Sequence, residues 1–489
     1  LSGDLLSIGK SGLFASKKAM STTSHNIANV NTEGFSRQEV RNETGVTISE
    51  GDINFGTGTN IQSIKRGHDE LVEKKLNSAT SSHKFNEERS TQLGHIEELF
   101  NEVNSEGMNK ILNRFFNSFR ELASRPEDET VRGLVRENSK IVVEDFHRLN
   151  DQVEHIRSSI NKKITLVTDD INMITKNIAL LNVDIAALEV TGGEASDLRD
   201  RRDVALRTLA EYFPVSAYYD EKSRFVVNAE GFGTLVCGDQ EQELMTGNRI
   251  PEGAAADQKP TLEIYFKSRH SEPISNKFKS GALGGLFKSR DEDLKKVETE
   301  VDQLAHGLVQ ATNAIHRRGW ANKPVPVDET TGMPMPGLAG SPVTGLNFFK
   351  EPLSVKRAAE YIQLSDEVSA DVNNIAAGFE PNKPGDNRVA IALSKLQHEK
   401  VLGGGSTTFE ESYLKTVGHV GMQQAKAKIE TEQTGGILAQ ARSIRERISG
   451  VSLDEETANM VKYQNAYEAS AKVIKASDEM FKTVLGIMP

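Results

Sequence analysis

Apolar residues recur every seven positions at both ends of the chain: Leu6, Leu13, Met20 and Ile27 near the start, and Leu453, Met460, Tyr467, Ile474, Phe481 and Met488 at the finish. Each end therefore predicts a helix with one apolar seam. At about 1.5 Å per residue the segment 453–488 runs roughly 54 Å, too long to hide its stripe against itself. A second seam lies at the opposite terminus, so the two ends are expected to pack together, within one subunit or between neighbours. The companion heptad positions Gln464, Ala471, Asp478 and Leu485 are mixed, so these helices are expected to gain order only once packed, since an isolated helix repays its nucleus poorly. The competing reading of the same pattern is an ordinary amphipathic helix in a monomeric bundle.

Between the ends the texture changes several times. From about residue 69 to 212 proline occurs only at Pro126, and Ile164, Val167, Ile171, Ile174, Ile178, Leu181, Ile185 and Leu188 repeat at three and four, which predicts several long helices with a bend at Pro126. From about 212 to 279, runs such as 223–228 and 261–266 alternate between glycines and predict strands. Helical pattern returns from Ser280 to about Arg317, a proline- and glycine-rich stretch follows at 323–342, and helices resume near Asp386 with a break at Gly403-Gly404-Gly405. The expected fold class is mainly α with a β insertion, an elongated multi-domain rod of long helices built from both termini. Residues 1–34 and 450–489 form its terminal helices; 35–210, 281–320 and 381–449 form a helical domain. Residues 211–280 form a small inserted β-rich domain, with 321–380 either a surface loop or part of that insertion.

Composition narrows the function. The formal charge of −11 repels phosphate backbones, so nucleic acid is not an expected partner. Only 6% of residues are aromatic against 26% charged, a profile of long helices more than of a compact enzyme. The single cysteine, Cys237, excludes an intrachain disulfide and any multi-cysteine metal site and is expected to be a buried free thiol. The first residues show no basic cluster followed by an apolar stretch, so no cleaved signal is expected. No stretch of about 18 consecutive apolar residues occurs, so no membrane insertion is expected.

The segment Ser24-His25-Asn26-Ile27-Ala28-Asn29-Val30-Asn31-Thr32-Glu33-Gly34-Phe35-Ser36-Arg37-Gln38 reads as a helix that stops. Asn29 and Asn31 compete with the helical ladder through their side chains, and Gly34 supplies positive φ. A plain helix end followed by a turn accounts for it on physical grounds alone. It also resembles the asparagine-rich motif of flagellar axial proteins, and its Gly34-Phe35-Ser36-Arg37-Gln38 ending is similar to the hook-associated protein 1 family. Asp197-Leu198-Arg199-Asp200-Arg201-Arg202-Asp203, Gly281-Ala282-Leu283-Gly284-Gly285-Leu286, Gly385-Asp386-Asn387-Arg388 and Gly450-Val451-Ser452-Leu453-Asp454-Glu455-Glu456 resemble further stretches of that family, in family order. The departures are His25, where the family usually has Asn, and the short inserted region.

This resemblance implies a structural adaptor of the bacterial flagellum, secreted through the type III export apparatus. It would self-assemble at the hook tip and join hook to filament at the extracellular junction. The implied partners are hook protein, a second hook-associated protein on the filament side, copies of itself in a ring, and a cytoplasmic export chaperone at the C-terminal helix. The terminal helices would form the inner tube. The candidate assembly seam is Leu6, Leu13, Met20, Ile27, Leu453, Met460, Tyr467, Ile474 and Phe481, and the motif residues are Asn26, Asn29, Thr32, Gly34, Phe35, Arg37 and Gln38. A hook- or filament-type axial protein is the alternative, and an enzyme domain displayed at 211–350 a further one.

Catalytic constellations amount to near misses. His398-Glu399-Lys400-Val401-Leu402 lacks the second histidine of a zinc helix and reads as a solvated helix face. Residues 281–289 suggest a phosphate loop, but Leu286 and Phe287 stand where close phosphate approach wants small residues. His306 and His316 lie ten residues apart, too far to share a metal without a third ligand. The charged run 197–203 reads as a salt-bridged helix surface. No catalytic residue, metal or cofactor is expected.

Overall fold

The computed structural model describes residues 2–50, 53–100, 107–190, 192–250, 259–269, 271–340 and 343–487; Met488 of the predicted heptad lies outside them. The chain divides into two compact units, one of residues 1–86, 164–285 and 431–489, the other of 87–163 and 286–430. Helices α2 (Glu70–Glu98), α4 (Glu129–Glu189), α6 (Gly281–Lys288) and α11 (Phe409–Ser449) contribute to both. The architecture is mainly helical with small sheets. Residues 211–280 lie in the first unit and 321–380 in the second.

The second unit holds the larger core. Helix α3 (Met108–Ser124) buries Met108, Ile111, Leu112, Phe115, Phe116, Phe119 and Leu122, the spacing of one helical face. Phe115 packs edge to face on Phe348 with ring centroids 6.2 Å apart, and Phe119 lies tilted against the same ring at 5.5 Å. Helix α7 (Lys295–His316), which follows α6 through a π-helical turn at Ser289–Leu294, lays Val297, Val301, Leu304, Leu308 and Val309 against this cluster. Two buried polar side chains of α7, Asn313 and His316, find partners on the backbone. Phe348 and Phe349 each donate their backbone N–H to Asn313 Oδ1 at 2.9 Å. His316 sits between Leu346 O, 2.8 Å from Nδ1, and the Ala376 N–H, which donates to Nε2 at 2.9 Å. Burial pushes its pKa down to about 4, so it is a neutral structural imidazole and not half of a metal pair. His398 lies in a turn after α10 (Arg388–Lys395), not on a helix face, because α10 ends three residues earlier.

In the first unit, α5 (Ser196–Tyr212) leads into an antiparallel meander of β5 (Val215–Tyr219), β6 (Phe225–Ala229), β7 (Gly233–Cys237) and β8 (Gln240–Glu241). A hairpin of β9 (Leu244–Arg249) and β10 (Thr261–Phe266) completes the insertion. Val227, Leu235, Val236 and Ile264 are fully buried beneath it. Helix α4 clamps these strands through asparagines: Asn172 exchanges two 2.8 Å bonds with the backbone of Leu244, and Asn182 donates to Gly238 O at 2.8 Å. This is why polar residues interrupt the apolar repeat of 164–188. Cys237 is a free thiol but only half-buried, because it ends an edge-proximal strand.

Two further findings differ from the sequence reading. Residues 38–66 form an antiparallel ribbon of β1 (Gln38–Thr44) and β4 (Thr59–Arg66), extended by β2 (Thr47–Glu50) and β3 (Ile53–Gly56). Most of β1 is exposed on both faces, so no apolar alternation marks it. Helix α4 is also long and apolar enough, over an 18-residue window, to cross a membrane by length and composition. Lys176 and Asp184 break any consecutive run, and Ile171, Ile178 and Ile185 of the same window are buried in the protein.

Candidate functional site

The terminal helices α1 (Ser2–Ala28) and α12 (Leu453–Ile487) pair antiparallel: Gly9 faces Ile474, Gly12 faces Ser470, and Asn26 reaches Glu456. The buried line on α1 runs through Gly9, Ala15, Ser16, Ala19, Thr22, Thr23 and Asn26, of which Gly9 and Asn26, with the neighbouring Gly12, lie against α12. These residues are small, so the two backbones come close. A Cβ on Gly9 would stand 2.8 Å from Ile474 Cγ1, and one on Gly12 2.9 Å from Ser470 Oγ. Buried hydroxyls return to their own helix, Ser16 to Gly12 O at 2.8 Å and Thr22 to Lys18 O at 3.1 Å, so small polar residues are buried without orphaned groups.

The predicted seam residues flank this line. Leu13, Met20, Ile27, Met460, Tyr467 and Ile474 are half-buried, whereas Leu6, Leu453 and Phe481 are exposed, Phe481 at 51%. A period-seven search for large side chains finds the pair but not its contact line, which is made of residues such a search scores as neutral.

After α1 the chain turns through the asparagine-rich segment. Gly34 has φ of +80°, and a Cβ there would lie 2.1 Å from Val204 Cγ2 of α5, so both conformation and space require glycine. Phe35 packs edge to face on His25 with ring centroids 5.5 Å apart. Asn26, 1% exposed, is the hub. Its Nδ2 donates to Gln38 O at 2.9 Å and to Glu456 Oε2 at 3.1 Å, while its Oδ1 accepts from Gln38 N at 3.0 Å. Asn29 Nδ2 donates to His25 O at 3.0 Å, and Thr32 donates its hydroxyl to Asn29 Oδ1 at 3.2 Å. Arg37 donates to Glu455 Oε2 at 2.9 Å, and its Nε stands 2.8 Å from Glu456 Oε1 in a charge contact without hydrogen-bond alignment. Its backbone N–H donates to Ser449 O at the end of α11. One short stretch thus ties together α1, β1, α11 and α12.

A second set of charges anchors the segment to α5. Asp200 Oδ2 accepts from Ser36 N at 2.8 Å, and its Oδ1 accepts from Arg66 Nη1 at 2.8 Å; Arg66 also bonds Asp203 at 2.5 Å. Burial alone would lower the Arg66 pKa, but Asp203 and Asp200 outweigh it and hold the guanidinium above its ordinary value. Gln38 Nε2 donates to Asp197 at 2.7 Å, and Arg445 of α11 donates to Gly34 O at 3.0 Å. The run 197–203 is salt-bridged as expected, through Arg199 to Glu189 and through Asp200 and Asp203 to Arg66, but only part of it is surface. Asp200 and Arg202 are buried, and Arg202 spends its charge on Asn182, the Tyr219 hydroxyl and the face of Phe225, 3.5 Å from the ring centroid. Beside this corner lies a cleft of about 420 Å³ lined by His25, Asn29, Phe35, Asp197, Asp200 and Arg201. Among the described residues no three His, Cys, Asp or Glu side chains are placed to hold a metal ion. These bonds tie the base of the terminal pair to β4, α5 and α11 of the same unit.

Comparison with known proteins bears on the same segments. Residues 93–329 match the model of the flagellar hook-associated protein FlgK helical domain. Residues 6–35 match that of the flagella basal body rod protein, and 446–487 that of the flagellar basal body rod FlgEFG protein C-terminal region. Flagellar hook-associated protein 1 of Bacillus subtilis is 26% identical over 99% of this chain and 98% of its own length. Along its whole length the chain resembles the flagellar hook-associated protein 1 family. The protein of that name from Escherichia coli is 23% identical over 99% of both chains. In fold, the flagellar hook junction protein FlgK from Burkholderia pseudomallei superposes with a TM-score of 0.61 at 15% identity, covering 77% of this chain and 100% of that one.

The corner's acidic and basic partners, Arg66, Asp200, Asp203, Arg445 and Glu73, which accepts from Arg445 at 3.4 Å, are not singled out as site residues by sequence. They come from three distant stretches, 66–73, 200–203 and 445, and nothing in one sequence says which of its many charges are buried. The usable signal was the proximity of Asp and Arg at 197–203 on a segment that also carries Leu206 and Leu209 for the core.

Proposed function

We propose that this chain is a structural adaptor, exported to the cell exterior, that assembles at the tip of the hook and joins hook to filament. The carrying observation is the antiparallel α1–α12 pair locked at its base by Asn26, Gln38 and Glu456, in a chain matched over 99% of its length by relatives named flagellar hook-associated protein 1. Residues left exposed on the pair, among them Leu6, Phe14 and Phe481, supply the apolar surface that copies in a ring would cover. Hook protein below, a second hook-associated protein above, and an export chaperone on α12 before assembly complete the partner set.

Cells deleted for this gene should carry finished hooks without filaments, seen by electron microscopy, and release unpolymerised flagellin into the medium. Normal filaments would overturn the junction role. Within the pair, Ile474→Asn should lower incorporation into isolated flagella while circular dichroism of the purified chain stays unchanged, since Ile474 lies against Gly9 and outside the core around α3 and α7. Unchanged incorporation would remove the pair from the assembly surface.

A further inference from the structure

Two helices leave long apolar faces uncovered. On α4, Leu166, Met173 and Leu180 recur every seven residues and are 65%, 64% and 58% exposed. The opposite side of the same turns, Val167, Ile171, Ile178 and Ile185, is core. A helix apolar on both sides is expected to be covered on both. On α11, Gly418, Met422, Ala425, Ile429 and Gly436 are all exposed and share one face. There the large side chains alternate with small ones, again with seven-residue spacing between Met422 and Ile429 and between Gly418 and Ala425. Projecting residues on one stripe and gaps on the other, at one period, are the two halves of a knobs-into-holes contact.

Charge is complementary too. Exposed Asp169 and Asp184 sit on the α4 face, with Lys176 the single base among them. Lys415 and Lys426 flank the α11 face. Among the described residues Asp169, Asp184 and Lys415 form no ion pair within the chain, and Lys426 reaches only Glu430 at 3.8 Å.

We infer that the α4 stripe of one copy packs against the α11 face of the next copy. The inference rests on the reading of this chain as a self-assembling flagellar subunit and adds which faces meet. Because the two faces differ, the contact is heterologous: it propagates around a ring or helical turn instead of stopping at a two-fold dimer. The Leu166–Met173–Leu180 stripe supplies bulk, Gly418 and Ala425 supply room, and the acids of one helix approach the lysines of the other.

The test is cysteine cross-linking of the full chain in assembled flagella, in a Cys237→Ser background. Cysteines at Leu166, Met173 or Leu180 are combined with cysteines at Met422, Ala425 or Ile429, since a disulfide forms only where Cβ atoms approach within about 4.5 Å. The expected result is a dimer when two single variants are co-expressed, and a ladder of multimers when both cysteines are on one chain. Met173→Asp, at an exposed position, should leave the melting temperature unchanged and reduce incorporation. Three results would overturn the inference: no pairing cross-links, the dominant product is a dimer of an α4 variant with itself, or the purified chain binds lipid vesicles through Met173 and loses this in Met173→Asp. If cross-links are absent while filaments still depend on the chain, the inference falls and the junction role stands. Normal filaments in the deleted strain remove the junction role whatever the cross-linking shows.

Discussion

Gly281→Ala should destabilise the first unit by about 3 kcal/mol, enough to leave much of the chain misassembled. Gly281 opens α6 with φ of +71°, where an L side chain is strained. Its position is also closed off: a Cβ there would lie 2.4 Å from the carbonyl carbon and oxygen of Tyr212 and 2.5 Å from Phe213 N. These are backbone atoms at the end of α5, and they cannot swing away as a side chain can. Relief would require moving the Tyr212–Phe213 peptide, which places Phe213 beneath the β insertion, its ring 5.4 Å from Phe232 and 5.8 Å from Phe278. The matched control is Gly133→Ala in α4, where nothing lies within 4 Å of the new Cβ. There alanine should stabilise by roughly 0.5–1 kcal/mol, the intrinsic helical preference. Denaturant unfolding followed by amide exchange, resolved by segment, reads both. Equal effects at the two sites would mean that the close approach of α6 to α5 is not a constraint on the fold.

That contrast shows what one sequence conveys. Both glycines sit in helical pattern, and only three-dimensional proximity separates an essential one from a dispensable one. The long helices were legible because their apolar spacing is strong: α3 and α7 bury the residues their periodicity selects. The strands of 215–266 were legible from alternation between glycines. The ribbon at 38–66 was not, since an exposed two-stranded ribbon buries too little to imprint a pattern. At the terminal pair the sequence shows that two helices need partners, but large-residue periodicity passes over Gly9 and Gly12, which lie against Ile474 and Ser470 of α12. The asparagine-rich segment was visible as a helix stop. Its bonding to α5, α11 and α12 was not, because those contacts join residues more than a hundred positions apart.

Asp200 is where that long-range bonding can be tested with the second large effect. Asp200→Ala should cost the first unit about 3 kcal/mol, the range for removing one partner from a buried charged pair. Two groups lose their acceptor at once: the Ser36 N–H, on a residue 3% exposed, and one arm of Arg66, whose side chain is 5% exposed. Arg66 keeps Asp203 at 2.5 Å and Glu194 at 3.4 Å, so its charge is not stranded and the unit should still fold. Ser36 has no such reserve, and its neighbours Phe35 and Arg37 carry the turn that seats Asn26 against Gln38 and Glu456. The loss should therefore appear first as faster amide exchange at 34–38 and in the last turns of α1, with Leu308 and its neighbours in the second unit unchanged. Arg66→Lys separates the two contributions, since it keeps Asp200 for Ser36 while removing the forked geometry that one guanidinium offers to two carboxylates. If the corner sets the direction of the terminal pair, Asp200→Ala should depress incorporation into flagella more than Arg66→Lys does at equal loss of stability. If incorporation tracks stability alone in both variants, the corner is a fold anchor and the direction of the helices is set elsewhere.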